Sequence, residues 1–444
     1  MRGVNFVVVA ALLSSLMTSL PVTAQARSNA SGQTARRRSA PEAEAARAQA
    51  AQVDKAEDAI ARNDFAAAEP LLKAATSAGS KDYRAWYDLG FVYSSTNRKD
   101  EAIEAYRKSV AAKPDVFESN LNLGVLLADE NRAEAANFLR AALKLKPAQN
   151  PQQVMFRAWA ALGRALDASD AKSAAEAYLQ AARIQPRNAE PHLAAAIALE
   201  RAGDLTAAEA EFRQAAELDP KSGEALAGLV NVYSREKKFT EAEAALRRLI
   251  AADPANATAH VQLGRVLAAQ GKNAEAAAEL EAGVKSQPDP AALRELAGLH
   301  ALAQQYDRAV PEYQALLQQS PNDADLHYAF GIVLMQQHNY PAAQQELLAA
   351  IKLNPDLAEA YGNLAVVADE NKQYSVAIQA LDARARHLPE TPATYFLRAT
   401  AYDHLRDYKA AVENYHQFLT ASNGKNPDQE WKARHRLVAL EQKK

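Results

Sequence analysis

Nine histidines and the acidic pairs Asp129-Glu130 and Asp369-Glu370 are the side chains in this 444-residue chain that invite a chemical reading. A metal site needs three or four His, Cys or carboxylate ligands converging on one ion. His192, His260 and His327 instead share one register of a repeating pattern, so they would line a ridge, and their expected place is between helices. The acidic pairs Asp129-Glu130 and Asp369-Glu370 have the make-up of a glycosidase acid and base. They recur, however, inside the matching strings Ala-Asp-Glu-Asn-Arg (128–132) and Ala-Asp-Glu-Asn-Lys (368–372), which fits helix-end hydrogen bonding better than one substrate site. The sequence has no GxxxxGK[ST] loop, no GxSxG elbow, no HExxH and no strand-turn-helix context for GxGxxG. Gly424-Lys425 lacks the rest of a phosphate loop and reads as a turn. With no cysteine, disulfides, thiol catalysis and thiolate metal sites are excluded. No catalytic residue, metal ligand or cofactor is therefore expected, and the chain is read as a non-enzyme.

The elements that position these residues are repeated. Pro186, Pro220, Pro254 and Pro288 stand 34 apart, and Pro114, Pro147, Pro321, Pro355 and Pro389 extend the series with small slips. Between them lie Ala-, Glu-, Leu- and Arg-rich stretches with helical periodicity. Trp86, Leu89, Gly90 and Tyr93 mark a first helix, and Ala102, Tyr106 and Ser109 a second that ends before Pro114. The pattern returns around Gly124, Gly163, Gly264 and Gly331. Leu and Tyr at i and i+4 share a stripe, while Gly lets a partner helix approach and Ala102 fills that contact from the other side. A glycine costs a helix about 1 kcal/mol relative to alanine, so its repeated use implies close packing.

These residues resemble the tetratricopeptide repeat, W-x₂-L-G-x₂-Y, then A-x₃-F, then P. The resemblance covers roughly Ala50 to Pro427 in about eleven units. It implies an all-α fold, a right-handed superhelical solenoid of helix-turn-helix hairpins, closed by a capping helix over 428–444. Trp86, Leu89, Gly90, Tyr93, Ala102, Gly124, Gly163, Gly264 and Gly331 would then be repeat-packing residues. In that family the first helices line a concave groove. Carried over, the groove positions include Tyr87, Phe91, Leu121, Val125, Leu193, Ile197, Tyr328, Ile332 and Phe396 as apolar anchors. They also include Arg157, Arg164, Arg235, Arg265 and Arg294, with Asp325, Glu359 and Asp369 further on. Interleaved apolar and charged residues suit a protein or extended peptide, with aromatic residues and Arg as anchors. The alternative partner is a polysaccharide stacked on the groove aromatics, as in an envelope secretion system. The family's carboxylate clamp is not recognisable, because Asn231 has no matching Lys before it.

Composition bounds the rest. The chain is 48% hydrophobic and 24% charged, with a net charge of −3, which gives no cationic excess for nucleic acid. Arg2, the apolar run Val4 to Leu20 and Ala24-Gln25-Ala26 read as a secretory signal over 1–26, cleaved after Ala26. Residues 27–40, with Arg36-Arg37-Arg38, read as a flexible linker, and 41–427 as the solenoid. The expectation is an exported, periplasmic or secreted scaffold with no stable membrane span after cleavage.

Overall fold

In the computed structural model the described residues are 40–77, 80–128 and 131–441. The expected signal over 1–26, the linker up to residue 39 and the Asp129-Glu130 pair lie outside them. Among the described residues there are twenty-three α-helices and no strand. The chain divides into two compact units, one ending at Pro254 and one starting at Ala255.

The first unit holds six hairpins: α1 (Ala40–Ala61) with α2 (Phe65–Thr76), α3 (Tyr83–Ser95) with α4 (Lys99–Ala112), and α5 (Phe117–Leu127) with α6 (Arg132–Leu143). They are followed by α7 (Pro151–Leu166) with α8 (Ala171–Ile184), α9 (Ala189–Ala202) with α10 (Leu205–Leu218), and α11 (Gly223–Arg235) with α12 (Phe239–Ala252). The second unit holds α13 (Ala257–Ala269) with α14 (Asn273–Ser286), α15 (Pro290–Leu302) with α16 (Tyr306–Gln319), and α17 (Ala324–Gln336) with α18 (Tyr340–Leu353). It continues with α19 (Ala358–Glu370) paired to α20 (Tyr374–Ala385), α21 (Pro392–His404) paired to α22 (Tyr408–Ser422), and α23 (Pro427–Glu441). Within each unit the second helix of one hairpin packs on the first helix of the next. The fold is thus an all-α tetratricopeptide-type solenoid.

Local chemistry sets the helix ends. The side chains of Asp64, Asp82, Asn131, Asp170, Asn188, Asp204, Ser222, Asn256, Asp289, Asp323 and Asp407 accept N–H bonds at helix starts. Each satisfies an amide that has no partner inside the helix. Inside most hairpins the turn passes through one left-handed residue, such as Asn97, Gly203, Lys237, Gly271, His338 or Arg406. Asp369 and Glu370 close α19 itself, at the helix end where the sequence placed them. Pro70 and Pro311 are each the sixth residue of their helix, beyond the first turn where proline replaces no hydrogen bond.

The core is a ladder. Ala68, Ala102, Ala135, Ala174, Ala208, Ala242, Ala276, Ala309, Ala343, Ala377 and Ala411 are completely buried, one in each second helix. Four residues on stands the large member, among them Tyr106, Leu139, Tyr178, Phe212 and Leu280. It is this residue that the first-helix glycine receives. A Cβ on Gly90 would lie 2.9 Å from Tyr106 Cδ1, on Gly163 2.7 Å from Tyr178 Cδ1, and on Gly264 2.7 Å from Leu280 Cγ. Gly124 and Gly331 meet Leu139 and Leu347 in the same way. The side chain filling the glycine contact is therefore Tyr106, not Ala102 as the sequence suggested; in later hairpins the alanine contributes its backbone carbonyl, as Ala276 does to Gly264.

The hairpin of α21 and α22 carries Arg398 where leucine is usual. Its guanidinium bonds Glu390 at 2.6 Å and Asp382 at 3.2 Å. The extra residues before Pro427 form a tied turn, with Glu430 accepting from Ser422 Oγ at 2.6 Å and from the Gly424 amide at 2.7 Å. That turn seats α23 on α22 through Ala433, Leu437 and Leu440. Trp431 and Val438 of the same helix are exposed.

Candidate interaction surface

The first-helix positions expected to line a groove fall into three groups. Tyr87, Phe91, Leu121, Arg157 and Leu193 are buried. Val125, Arg164, Ile197, Tyr328, Ile332 and Phe396 are half-buried. Arg235, Arg265 and Arg294 are exposed.

The buried group has a common cause: first helices of successive hairpins also touch one another. Asn122 Nδ2 on α5 lies 3.3 Å from the hydroxyls of both Tyr87 and Tyr106, joining three helices. The two rings are 5.6 Å apart, and burial raises both phenol pKa values well above 10. Burial lowers the Arg157 pKa beside the same tyrosines. Phe91 stands edge-on to Phe65 of the preceding hairpin at 6.1 Å. Phe396 turns toward its own second helix, 5.0 Å from Phe418. Tyr87, Phe91, Leu121 and Leu193 are thus buried in the packing of the hairpins, and Phe396 is half-buried against its own second helix. The buried rings Tyr87 and Phe91 have no face open for a sugar to stack on. Tyr328 repeats the Tyr87 arrangement, taking a 3.1 Å bond from Asn363 Nδ2, and keeps part of its ring exposed.

The exposed arginines are each held by an acid from a neighbouring hairpin. Arg235 lies 3.7 Å from Glu200. Arg265 Nε sits 3.0 and 2.9 Å from the two oxygens of Glu295, and Arg294 pairs with Asp323. Burial raises the Glu200 pKa, whereas the Arg265 pKa is raised by its bond to Glu295.

Sequence reasoning missed the acids as a set. Asp167 pairs with Arg201, Glu200 with Arg235, and Asp403 with Arg436, whose Nη2–Oδ1 distance is 2.7 Å. The partners are 33 to 35 residues apart, so aligning the hairpins for charge as well as for Leu-Gly would have exposed the ladder. At Asp369 the base one repeat on is His404, which stacks on Tyr374 at 4.4 Å. Asp369 Oδ1 is buried without a hydrogen-bond partner, and burial raises its pKa. Changing His404 to Arg should complete the ladder and add about 1 kcal/mol to the second unit, a gain that shrinks with added salt. Urea melts at two salt concentrations check this; an unchanged midpoint would show that Asp369 gains nothing from a permanent cation.

The histidines are structural pairs. His192, His260 and His327 each meet a glutamate nineteen residues on, Glu211 at 2.7 Å, Glu279 at 2.6 Å and Glu346 at 2.6 Å. Among the described residues no three His, Asp or Glu side chains are grouped to hold a metal ion. Among them too, no helix is long and apolar enough to cross a membrane.

Stacked hairpins with charged first-helix faces define a protein-interaction scaffold. Residues 53–117 and 93–150 match one tetratricopeptide repeat model, and 199–252, 233–299 and 300–365 match a second of the same description. Together these spans exceed half of the sequence, and the chain belongs to the tetratricopeptide repeat family. No curated protein matches it in sequence. Among solved structures it is similar to YrrB, described as a TPR protein with an unusual peptide-binding site, at 27% identity, covering 42% of this chain and 96% of that one with a TM-score of 0.39. It is also similar to MamA from Desulfovibrio magneticus RS-1, at 23% identity over 38% of this chain and 97% of that one, TM-score 0.36. Yeast Tom70 matches at 14% identity over 89% of this chain and 96% of that one, TM-score 0.32.

Proposed function

We propose that this protein is an exported, non-enzymatic adaptor that holds a protein partner as an extended segment along first-helix faces. The observation that carries this is the state of Arg265 and Arg294. Both guanidiniums are exposed, fixed in direction, and bonded only to surface carboxylates. Surface pairs of this kind contribute about 0–1 kcal/mol, so an incoming carboxylate can replace Glu295 or Asp323 at little cost. Arginine also presents a planar fork suited to carboxylates, and is among the residues that dominate interface energy. Half-buried Tyr328 and Ile332 on the following first helix supply apolar contact in the same unit. Export rests on the apolar run and small-residue site of residues 1–26.

Replacing Arg265 and Arg294 together with Glu should leave helicity unchanged and reduce capture of the protein partner by about tenfold or more, since each reversal removes an attraction and adds a repulsion. The check is a photo-crosslinker at Gln262, read in the exporting cell in parent and double variant. Protein adducts in the parent that fade in the variant support the reading. Recovery of no protein neighbour sinks it, and a mature N-terminus that does not begin after Ala26 sinks the export element separately.

A further inference from the structure

We infer that the partner segment is basic and aliphatic where it passes α17 and α19 of the second unit, resting on the adaptor role proposed above. Ile332 on α17 and Val366 on α19 share one register, 34 residues apart. Ile332 is half-buried and Val366 is 41% exposed. About one turn away, Asn363 donates to the Tyr328 hydroxyl at 3.1 Å and ties the two helices together. Burial raises the Tyr328 phenol pKa and the Glu359 carboxylate adds to it, which sets that acid near the same ring. Glu359, Val366 and Glu370 stand at i, i+7 and i+11, so they form one stripe about 16 Å long with the aliphatic residue between the acids.

Charge selects the occupant. α17 and α19 carry Asp325, Glu359, Asp369 and Glu370 and no Lys or Arg. Elsewhere on the first-helix faces of this unit acids and bases pair, Arg265 with Glu295, Arg294 with Asp323 and Arg436 with Asp403. Among the described residues none of the four acids has an ion-pair partner. Asp369 and Glu370 fall in the last turn of α19, where the helix dipole is already negative and where α7, α9 and α11 place an arginine. Cations on α20 and α21 are engaged elsewhere: Arg384 donates to the Pro389 carbonyl at 2.9 Å, Arg398 bonds Glu390 at 2.6 Å, and His404 stacks on Tyr374. Lys352 and Lys372 are exposed and pair with none of the four acids. An incoming Lys or Arg supplies the base that the ladder lacks here, and an aliphatic residue between two such cations covers Val366. An anionic bilayer or an acidic segment would meet like charge, and a second copy would set this acidic stripe against itself.

The test is fluorescence anisotropy of a short labelled peptide of Lys, Leu and Ser against the full chain, beside the same peptide with Glu for every Lys. Binding of the basic peptide that weakens as salt rises is expected. Glu359→Gln with Glu370→Gln should weaken it about tenfold, at roughly threefold per charge. Val366→Ser leaves the charge unchanged and should weaken it about threefold through lost apolar contact. Circular dichroism checks that these exposed changes leave the helices intact. Binding equal in parent and variants overturns the proposal, as does loss on neutralising the acids that Val366→Ser does not share, which would be attraction to charge alone. Binding that appears only when Arg36, Arg37 and Arg38 are changed to Gln would assign the strip to the chain's own arginine run. The crosslinker at Gln262 scores the adaptor role separately. Protein adducts there, with no binding of the basic peptide, sink this inference alone, whereas recovery of no protein neighbour sinks the adaptor role.

Discussion

Alanine in place of Gly298 stabilises the second unit by about 1 kcal/mol, whereas alanine in place of Gly264 destabilises it by a similar amount. Both glycines lie in first helices, α15 and α13, and both follow a buried leucine or alanine. Their surroundings differ. A Cβ on Gly298 meets nothing within 4 Å, so the substitution only removes backbone freedom from the unfolded chain and improves helix propensity. A Cβ on Gly264 would come within 2.7 Å of Leu280 Cγ and 3.0 Å of the Ala276 carbonyl oxygen. The leucine can shift, but the carbonyl belongs to a helix backbone and cannot. Overpacking of about 1–3 kcal/mol then outweighs the propensity gain, and Gly264→Leu should reach the upper end of that range. Hydrogen exchange of the α13–α16 amides reports both changes locally, which matters in a stacked array where global melting mixes hairpins. Equal protection changes of one sign at both sites would show that the helices part readily.

Asparagine in place of Asp88 should stabilise the first unit by about 1–3 kcal/mol at neutral pH and by little at pH 4. Asp88 is 4% exposed in the middle of α3, and its Oδ2 has no hydrogen-bond partner. Burial holds its carboxyl well above the ordinary value of 3.8, Glu57 and Asp82 push the same way, and Arg84 only partly offsets them. Between the unfolded and the raised folded value the native state holds a proton that the unfolded chain has released. Stability contributed by this group is therefore full below the unfolded value and is lost as pH rises through the folded one. An amide has no such dependence, so the variant's melting midpoint should exceed the parent's increasingly from pH 4 to 7. Parallel pH profiles for the two proteins would contradict the assignment.

The repeat explains why Asp88 is stranded. Asn122 and Asn363 occupy the same register, and each reaches a tyrosine hydroxyl thirty-five residues earlier, Tyr87 or Tyr328. Thirty-five residues before Asp88 stands Val53, packed on Ala75 and Ala85, with no polar atom to offer. The first hairpin thus lacks the hydroxyl that this polar position meets elsewhere.

Sequence by itself determined the hairpin, its period and its packing code. Gly90, Gly124, Gly163, Gly264 and Gly331 each receive a large side chain from their own second helix, because a backbone without Cβ lets that side chain come within contact of the first helix. That requirement is local and recurs, so spacing records it. Which first-helix residues stay accessible is not local. Tyr87, Leu121 and Arg157 share register positions with exposed or half-exposed residues of other hairpins, and they are covered because neighbouring first helices meet through Asn122 and its contacts. Gly228 shows the same limit, since it receives Phe212 from the preceding hairpin rather than from its own. The acids that hold Arg235, Arg265 and Arg294 likewise follow from how hairpins stack, a relation between residues about a repeat apart that only the tertiary structure brings within bonding distance.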